Sequence, residues 1–538
     1  MARLVTERLL ISGDLVARTA LHVGGFGEDV TCDMPLARDG RGRFVVPGTS
    51  LAGSFRAWCE RAYPQPIVTA IWGSADDDGA ASRVCIEDIS IGDEGTVCVE
   101  IRDGVGIDRE WGTAADAIKY DRAVLPRGTR LPLRMTIESD AGSAEATRNV
   151  AAALVAALAD GEVSLGAAKT RGLGRVRFEH GQIERFDLGS REGTLALLRR
   201  LEWEARMPSP AAETQPAASG RVEPAPAAGA PPRLTIEIDW HPVGPLMVKA
   251  GADGVAVDTL PLMAGCEGGL SLLLPGSSLK GVLRGQAERV VRTLLNLPLP
   301  RSHRPLERFL NQLRNVPLVD VVFGAAGESS HGRNEPPDAT PAAADRPLPG
   351  LGSLSVDDCH GSARVSREAW GKVLEAAIEP PKGRRASPLR EAFDEAGLGS
   401  WTAAFHVAVD RWTGGAADQL LFTVMEPQTA AWEPIRLALD FGRLPEHDRH
   451  AAVMLFLLLV RDLAEGRLPL GYGVNRGLGA VAVDRVRLGG RGLPADLAPL
   501  AGLELDRGDL AHLPENLRET IDAAWQTWLA TAAVEKNR

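Results

Sequence analysis

The chain contains one unusual turn-into-helix twice, as VPGTSLAGSFRA at residues 46–57 and as LPGSSLKGVLRG at residues 274–285. Pro-Gly predicts a turn, Ser or Thr is typical of a helix start, and apolar residues then recur at helical spacing. Unpaired N–H groups and the helix dipole make such a terminus suited to phosphate. In the second copy Lys280 and Arg284 lie four residues apart on one face, whereas only the arginine, Arg56, remains in the first.

Length and composition indicate a globular protein of several domains, with 538 residues, 44% hydrophobic and 24% charged. Charges interrupt the N-terminal segment, and the apolar run near residue 455 is shorter than a membrane span, so we expect a cytoplasmic protein without a membrane partner. The six cysteines form no CxxC pair, which argues against a zinc ribbon. A net charge of −11 argues against indiscriminate nucleic-acid binding, so any RNA site must be a local patch.

The sequence is organised as a duplication around a Pro- and Ala-rich linker at residues 207–232. We expect a first domain over 1–206 and a second over 233–538. Strand-like alternation mixes with helical runs in each half, which predicts an α+β fold with a ferredoxin-like, RRM-like βαββαβ core in each. Blocks that recur in the same order support this: 32–56 with 257–284, 70–88 with 321–358, 103–126 with 406–427, and 161–178 with 466–483.

Short motifs recur within these blocks. They are Asp33-Met34-Pro35, Pro47-Gly48, Ile107-Asp108-Arg109 and Arg171-Gly172-Leu173-Gly174, with Asp258, Pro275-Gly276, Val409-Asp410-Arg411 and Arg476-Gly477-Leu478-Gly479 in the second half. In these motifs the chain resembles the RAMP superfamily, specifically the backbone subunits of type III CRISPR RNA-guided effector complexes. A tandem of two such subunits is similar to the double-backbone protein of type III-D systems.

The resemblance implies two tandem RAMP domains, each with a palm that holds guide crRNA and a projecting thumb hairpin. It also implies target RNA, further backbone subunits and a large signalling subunit as partners.

The resemblance implies that one loop aspartate in each half cuts target RNA, and it places this role on Asp33 and Asp258. Cleavage can use the 2′-hydroxyl of the RNA as nucleophile, so a carboxylate with a Mg²⁺ or Mn²⁺ ion would suffice to align it and to offset the developing charge. Both residues are therefore predicted to be catalytic and metal-binding. Glu28 and Asp29 are nearby carboxylates that compete for the assignment. A solvated loop residue or a turn cap is the alternative for either aspartate.

The repeated helix starts and the glycine-rich loops are the predicted RNA-binding elements. Strand-like runs follow both RGLG motifs, which argues against a dinucleotide-binding loop, and a tight structural turn is the simpler alternative. The basic segment 380–385 is either a solvated loop or an RNA contact. The residues predicted to bind RNA are Ser50, Arg56, Lys169, Arg171, Ser277, Ser278, Lys280, Arg284 and Arg476.

Three functions remain open from the sequence. The first is a double backbone subunit that binds crRNA and cleaves target RNA at regular intervals, with one or both halves active. The second is a guide-RNA scaffold that no longer cuts, and the third, more remote, is a nucleotide-binding metabolic enzyme. If the duplication is real, Pro47 and Pro275 must occupy the same topological position. The pairs Asp108-Arg109 and Asp410-Arg411 could equally be salt-bridged strand ends.

Overall fold

The computed structural model describes residues 4–25, 32–75, 79–92, 97–206, 218–227, 229, 231–251, 257–266, 268–325, 350–376, 387–428 and 431–536. Glu28, Asp29, the basic segment 380–385 and residues 207–217 of the predicted linker lie outside them.

The chain forms two compact units whose boundaries differ from a simple cut at the linker. The first comprises Met1–Glu100, Ala123–Lys169 and Leu173–Pro231, and the second comprises Ile101–Arg122, Thr170–Gly172 and Pro232–Arg538. Two segments from the first half of the sequence therefore belong to the second unit.

The strands in chain order are β1 (Glu7–Ala17), β2 (Phe44–Val46), β3 (Val84–Ile86), β4 (Ile89–Gly92), β5 (Glu100–Ile107), β6 (Ala114–Val124), β7 (Arg130–Ser139), β8 (Arg171–Gly172), β9 (Val176–Asp187), β10 (Gly220–Arg221), β11 (Arg233–Pro242), β12 (Met263–Cys266), β13 (Gly269–Leu274), β14 (Gly324–Ala325), β15 (Gly350–Leu351), β16 (Leu354–Asp357), β17 (Cys359–His360), β18 (Thr402–Val409), β19 (Ala416–Glu426), β20 (Ile435–Asp440), β21 (Val481–Arg491) and β22 (Glu504–Asp506). The helices are α1 (Gly48–Ala62), α2 (Gln65–Trp72), α3 (Ala144–Ala159), α4 (Arg191–Arg206), α5 (Gly276–Leu294), α6 (Pro305–Gln312), α7 (Val319–Phe323), α8 (Arg367–Glu375), α9 (Pro388–Glu395), α10 (Arg449–Ala464) and α11 (Glu515–Lys536). Short 3-10 turns lie at Phe441–Arg443, Glu446–Asp448, Val474–Arg476, Ala498–Leu500 and Leu510–His512.

The sheet of the first unit has the order β10-β9-β1-β7-β3 and is antiparallel throughout. Its strands alternate as the sequence predicts: in β7, Leu131, Leu133, Met135 and Ile137 are buried while the residues between them are more exposed. The Ala- and Val-rich face of α3 packs into the same core. In the described part of the linker, β10 pairs with β9, so this stretch belongs to the first unit.

The sheet of the second unit has the order β22-β21-β11-β20-β16-β8. Its central run β21-β11-β20-β16 matches β9-β1-β7-β3 of the first unit, strand for strand and in chain order. With α1 and α3, or α5 and α10, each run makes the βαββαβ core, in which the fourth and first strands are neighbours and the third and second strands are neighbours. The predicted α+β, RRM-like fold of both halves is confirmed.

The repeated Pro-Gly motif begins the first core helix in both units, as the duplication requires. Pro47 is the N-cap of α1 with φ −60° and ψ 137°, and Pro275 is the N-cap of α5 with φ −61° and ψ 140°. The residue after this proline is glycine in both units. A Cβ on Gly48 would lie 2.2 Å from the Ile86 carbonyl oxygen, and a Cβ on Gly276 would lie 2.4 Å from the Val356 carbonyl oxygen. Only glycine therefore allows the helix to start this close to the sheet.

The N-cap residue of both helices is proline and not the Ser or Thr that is typical of a helix start, so neither N-cap side chain bonds to the helix. A distant aspartate takes this place in each unit. Gly48 N donates to Asp88 Oδ1 at 2.7 Å, and Gly276 N donates to Asp358 Oδ1 at 2.9 Å. A carboxylate at the positive end of the helix dipole thus occupies part of the terminus that we expected to bind phosphate.

Two hairpins, β5–β6 and β18–β19, share one tip conformation. Asp108 Oδ1 accepts hydrogen bonds from the backbone N–H groups two and three residues later in the chain. Asp410 Oδ1 accepts the same two bonds in the second hairpin. The first hairpin is part of the second unit and has buried residues along it, whereas the second hairpin is largely exposed. Its exposed apolar side chains are Phe405, Val407, Val409, Trp412, Leu420 and Leu421. Within the described residues, no helix has the length and apolar character needed to cross a bilayer.

Candidate functional site

Asp258 lies at the base of the second hairpin and is fixed to β19 through Thr423. The carboxylate oxygen Oδ2 accepts from Thr423 N at 2.7 Å and from Thr423 Oγ1 at 2.9 Å, and Asp258 N donates to the same hydroxyl at 3.0 Å. The backbone of Thr259 pairs with β19 on either side of this contact. These hydrogen bonds lower the pKa of Asp258 below its ordinary value, and the bond from the Thr423 backbone has the largest effect. The side chain is exposed, so it is an oriented, ionised carboxylate at the surface.

Asp33 occupies the corresponding position at the base of the first hairpin. Ala123 N donates to Met34 O at 3.0 Å, just as Met425 N donates to Thr259 O in the second unit. By chain position, the counterpart of Thr423 is Asp121, so the hydroxyl that holds Asp258 is replaced by a carboxylate in the first half. Asp33 is exposed. The two predicted aspartates therefore have equivalent backbone positions but different neighbours along the hairpin strand.

Neither aspartate belongs to a preformed metal site within the described residues, where no group of three or more His, Cys, Asp or Glu side chains converges. Mg²⁺ commonly binds one or two carboxylates and completes its coordination with phosphate oxygens and water. Asp33 and Asp258 would fit that mode as single protein ligands, with phosphate oxygens and water as the other ligands. They do not fit a metal held by the protein alone.

The expected surface position of Lys280 and Arg284 is wrong. Lys280 is 5% exposed, and its ammonium donates to the Leu354 carbonyl at 2.7 Å. Arg284 pairs with Glu288 at 2.7 Å and with Asp320 at 3.2 Å, and it also donates to the carbonyls of residues 313 and 324. Both side chains hold α5 against its own unit, and their part in RNA binding stays a prediction.

The burial of Lys280 makes the stability of the second unit dependent on pH. Burial, reinforced by the charges of Arg171, Arg284 and Arg443, lowers the pKa of Lys280 from 10.5 to about 7. Between pH 7 and 10.5 the unfolded chain binds a proton that the folded chain has lost, so the free energy of unfolding must rise with pH. We expect a gain of about 2 kcal/mol between pH 7 and 9 from urea unfolding, which Lys280→Met removes. An equal pH dependence in the variant would contradict this assignment.

The helix start of the first unit is more open to a ligand. Arg56 pairs with Glu60 at 2.9 Å, with side-chain exposures of 36% and 40%, so this ion pair is a weak constraint. Lys169 reaches α1 and donates to Ser54 Oγ at 2.9 Å, and Ser50 lies one turn before that contact on the same helix. The structure thus brings Ser50, Arg56 and Lys169 to one helix. In the second unit, the side chain of Ser277 is exposed and that of Ser278 is half-buried.

The two glycine-rich loops differ in what they contact. Arg171 begins β8, which pairs with β16, and its side chain is exposed. Arg476 is also exposed, and its guanidinium lies 5.3 Å from the ring centroid of Phe422 and 5.6 Å from that of Tyr472. Phe422 precedes Thr423 in β19, so adjacent strand residues contact Arg476 and Asp258. Both loops lead into strands, β9 and β21, whereas a dinucleotide-binding loop leads into a helix.

Three residues that hold the predicted site elements in place are not evident from the sequence. Nothing in a single strand sequence distinguishes Thr423, which orients Asp258, from other β-branched residues. Asp88 and Asp358 end the repeated block 70–88 and 321–358, so their recurrence after a strand was available as an indication. Their role as acceptors at a distant helix start required the tertiary structure.

A family model of the RAMP superfamily matches residues 14–177 and 261–482, which together make up more than half of the chain. No curated protein matches this chain. The first matched region runs from within β1 to the start of β9, and the second covers its core from before β12 to the start of β21, without β11. RAMP proteins generally bind CRISPR RNA and other effector subunits. The duplicated fold, the equivalent aspartates and the family match lead to one conclusion: the chain belongs to the RAMP superfamily of CRISPR-associated proteins and carries two RAMP domains in tandem.

Proposed function

We propose that the chain is a double backbone subunit of a type III CRISPR effector complex, of the type III-D kind, that binds crRNA and cleaves complementary target RNA at regular intervals. The observation that carries the proposal is the equivalent placement of Asp33 and Asp258, each exposed and each beside a backbone bond to the base of a hairpin. Two such positions in one chain support two cuts, separated by the length of RNA that one RAMP domain covers.

In the proposed reaction the 2′-hydroxyl oxygen of the target attacks the adjacent phosphorus and the 5′-oxygen of the next nucleotide leaves. The products are a 2′,3′-cyclic phosphate and a 5′-hydroxyl. The aspartate would orient the attacking hydroxyl by accepting its hydrogen bond, and Thr423 holds the Asp258 carboxylate for this task. A Mg²⁺ or Mn²⁺ ion, held by the same carboxylate and by phosphate oxygens, would offset charge on the phosphorane.

The reaction is tested on the complex assembled with its guide, other subunits and an end-labelled complementary RNA. We expect a ladder of Mg²⁺-dependent products that carry 5′-hydroxyl groups. An intact target after guide and target have both bound would withdraw the nuclease proposal.

The exposed arginines support the RNA-binding part of the proposal. Arg56, Arg171 and Arg476 have side chains that solvent reaches, whereas the charge of Lys280 is buried. Each phosphate contact on single-stranded RNA contributes roughly 0.7 to the slope of log K against log salt concentration. Arg171→Ala and Arg476→Ala are therefore expected to weaken crRNA binding and to lower that slope by about one contact each.

Filter binding across a salt series measures this effect, with Lys280→Met as the matched control because it removes a positive charge from the interior. The control should leave the slope unchanged. A reduced slope in the control, with unchanged slopes in the arginine variants, would move the guide path from the glycine-rich loops to α5.

A guide-RNA scaffold without nuclease activity is the second candidate. It is favoured by the lack of a convergent metal-binding group among the described residues and by the two bonds that Asp258 already accepts from Thr423. A scaffold would show the salt-dependent crRNA binding described above and leave the labelled target uncut.

A further inference from the structure

A basic segment follows the middle of α5 in the second unit. Residues 289–314 contain six arginines, no lysine and one acidic residue, Glu307, although the whole chain has a net charge of −11. Among these arginines only Arg308 forms an ion pair within the residues that the structure describes. The guanidinium groups of the other five therefore have no carboxylate of the described chain to balance their charge.

Part of this segment surrounds a cavity of about 390 Å³ near the end of α5. The loop after α5 and the end of α6 both contribute to it. Only Tyr63 and Pro64 separate α1 from α2, so the first unit has no counterpart of this loop or of α6. The cavity thus lies outside the duplicated part of the fold. It is lined by Arg292, Leu297, Pro298, Pro300, Asn311, Arg314 and Asn315.

The cavity is far from the elements that we predict to bind the guide. These elements meet at the other end of α5, where a Cβ on Gly172 of the glycine-rich loop would lie 3.0 Å from Gly276. Arg292 follows Gly276 by sixteen residues on the same helix, which corresponds to about 24 Å along the helix axis. A ligand in the cavity would therefore be distinct from the guide backbone at the helix start.

Arg292 is held in place by two backbone carbonyls of the cavity wall. Its Nη1 donates to Pro298 O at 3.1 Å, and its Nη2 donates to Gln312 O at 3.0 Å. These bonds cover carbonyl oxygens that would otherwise repel an anion. A guanidinium has five N–H donors, so donors remain for a ligand. Within the described chain Arg292 Nε has no hydrogen-bond partner.

Arg314 supplies the second guanidinium of the cavity. Its side chain is half-buried and forms no ion pair with the part of the chain that the structure describes. The backbone around it is fixed, because Arg314 N donates to Asn311 O at 3.3 Å and Arg284 donates to Leu313 O at 3.0 Å. Two arginines that line one cavity from different elements match the oxygen atoms of a phosphate group.

The rest of the lining suits a flat, polar-edged group. Leu297, Pro298 and Pro300 form an apolar wall, and the side-chain amides of Asn311 and Asn315 offer both donors and acceptors. A nucleobase has apolar faces and an edge of donors and acceptors. The volume also lies in the range of pockets for small organic ligands.

We propose that this cavity binds a nucleoside phosphate, with the phosphate on Arg292 and Arg314 and the base between the apolar wall and the two asparagines. This inference goes beyond the proposed crRNA function and does not depend on it. The nucleoside phosphate is either a free nucleotide or the phosphorylated end of an RNA strand, which share this chemistry. The experiment below distinguishes the two sources.

Isothermal titration of the full-length chain without crRNA tests the site, with AMP, ATP, adenosine and inorganic phosphate as probes. We expect AMP and ATP to bind, and adenosine and inorganic phosphate to bind at least tenfold more weakly, because each lacks one half of the ligand. A 5′-phosphorylated RNA trinucleotide that binds more tightly than AMP would assign the site to an RNA end, and the reverse order would assign it to a free nucleotide. If no probe binds, or if adenosine binds as tightly as AMP, the proposal is overturned.

Arg314→Gln is expected to weaken AMP binding at least tenfold. Arg289→Gln is the matched control, because Arg289 is an exposed arginine of the same basic segment that does not line the cavity. Asn315→Gly is a second variant that should fold, since glycine readily adopts the φ of +58° at this position, and we expect at least threefold weaker binding.

Two results would contradict the site. Equal losses in Arg314→Gln and Arg289→Gln would show a general attraction of anions to the basic segment. Filter binding of crRNA gives the other comparison, in which Arg314→Gln should behave as the unsubstituted chain. If this variant weakens crRNA binding and leaves AMP binding unchanged, the cavity belongs to the guide path and the proposal is overturned.

Discussion

Asp33→Ala is expected to remove one product from the ladder of target-RNA fragments, and Asp258→Ala is expected to remove a different one. In the proposed function each aspartate would serve its own RAMP domain, so the loss should be complete at one site and absent at the other. Guide and target binding should persist, because backbone contacts elsewhere dominate the affinity. The measurement is a denaturing gel of an end-labelled target cut by the assembled complex, with binding followed in parallel by mobility shift.

Thr423→Val is the matched variant for the second site. It removes the hydroxyl that donates to Asp258 and keeps the backbone donor, so the pKa of Asp258 should rise toward its ordinary value. The acid limb of the pH profile should then move to higher pH for the second product and stay in place for the first. If Asp33→Ala and Asp258→Ala both give the wild-type ladder, the scaffold function is the correct one.

Asp358→Ala is expected to destabilise the second unit by about 3 to 5 kcal/mol, the usual cost of removing one partner from a buried ion pair. The Asp358 side chain is 1% exposed and forms a salt bridge with Arg102, with 2.5 Å between Asp358 Oδ2 and a guanidinium nitrogen. Its other oxygen accepts a hydrogen bond from Gly276 N. The substitution leaves the buried Arg102 guanidinium without its carboxylate partner, and it leaves Gly276 N at the start of α5 without its acceptor. Urea unfolding followed by tryptophan fluorescence measures the change.

Asp88→Ala is the matched control, because Asp88 makes the same contact to Gly48 N from an exposed position. It should cost only about 1 kcal/mol, the value of a helix cap. Similar losses for both variants would show that the ion pair with Arg102 contributes little and that the cap carries the effect.

The sequence predicts the duplicated α+β core well, because alternation in β7 and helical spacing after Pro47 and Pro275 are local properties. It fails where a position depends on distant partners. The inward position of Lys280 was indicated by Ala52, its counterpart in the first copy, because a small apolar residue is typical of a buried helix face.

The candidate site was predictable only in part, for the same reason. Asp33 and Asp258 follow from the repeated block and from the family resemblance, but Thr423 is an ordinary strand residue until the fold brings it beside Asp258. The sequences of the two hairpin tips do not indicate which tip binds a neighbouring helix, because DREWGT (108–113) and DRWTGG (410–415) form the same turn. The difference lies in the second unit, where Glu288 and α6 bind Arg109 and Asp108 of the first tip.

The assignment of residues 101–122 and 170–172 to the second unit has a consequence for synthesis on the ribosome. Arg102 and Asp358 are 256 residues apart, so at 5 to 20 residues per second the hairpin leaves the ribosome roughly 13 to 50 s before its partner exists. During that delay the nascent first half displays a charged hairpin tip and an unpaired strand. A ribosome stalled near the linker would hold the chain in this state, which offers the longest opportunity for a chaperone or a neighbouring nascent chain to bind.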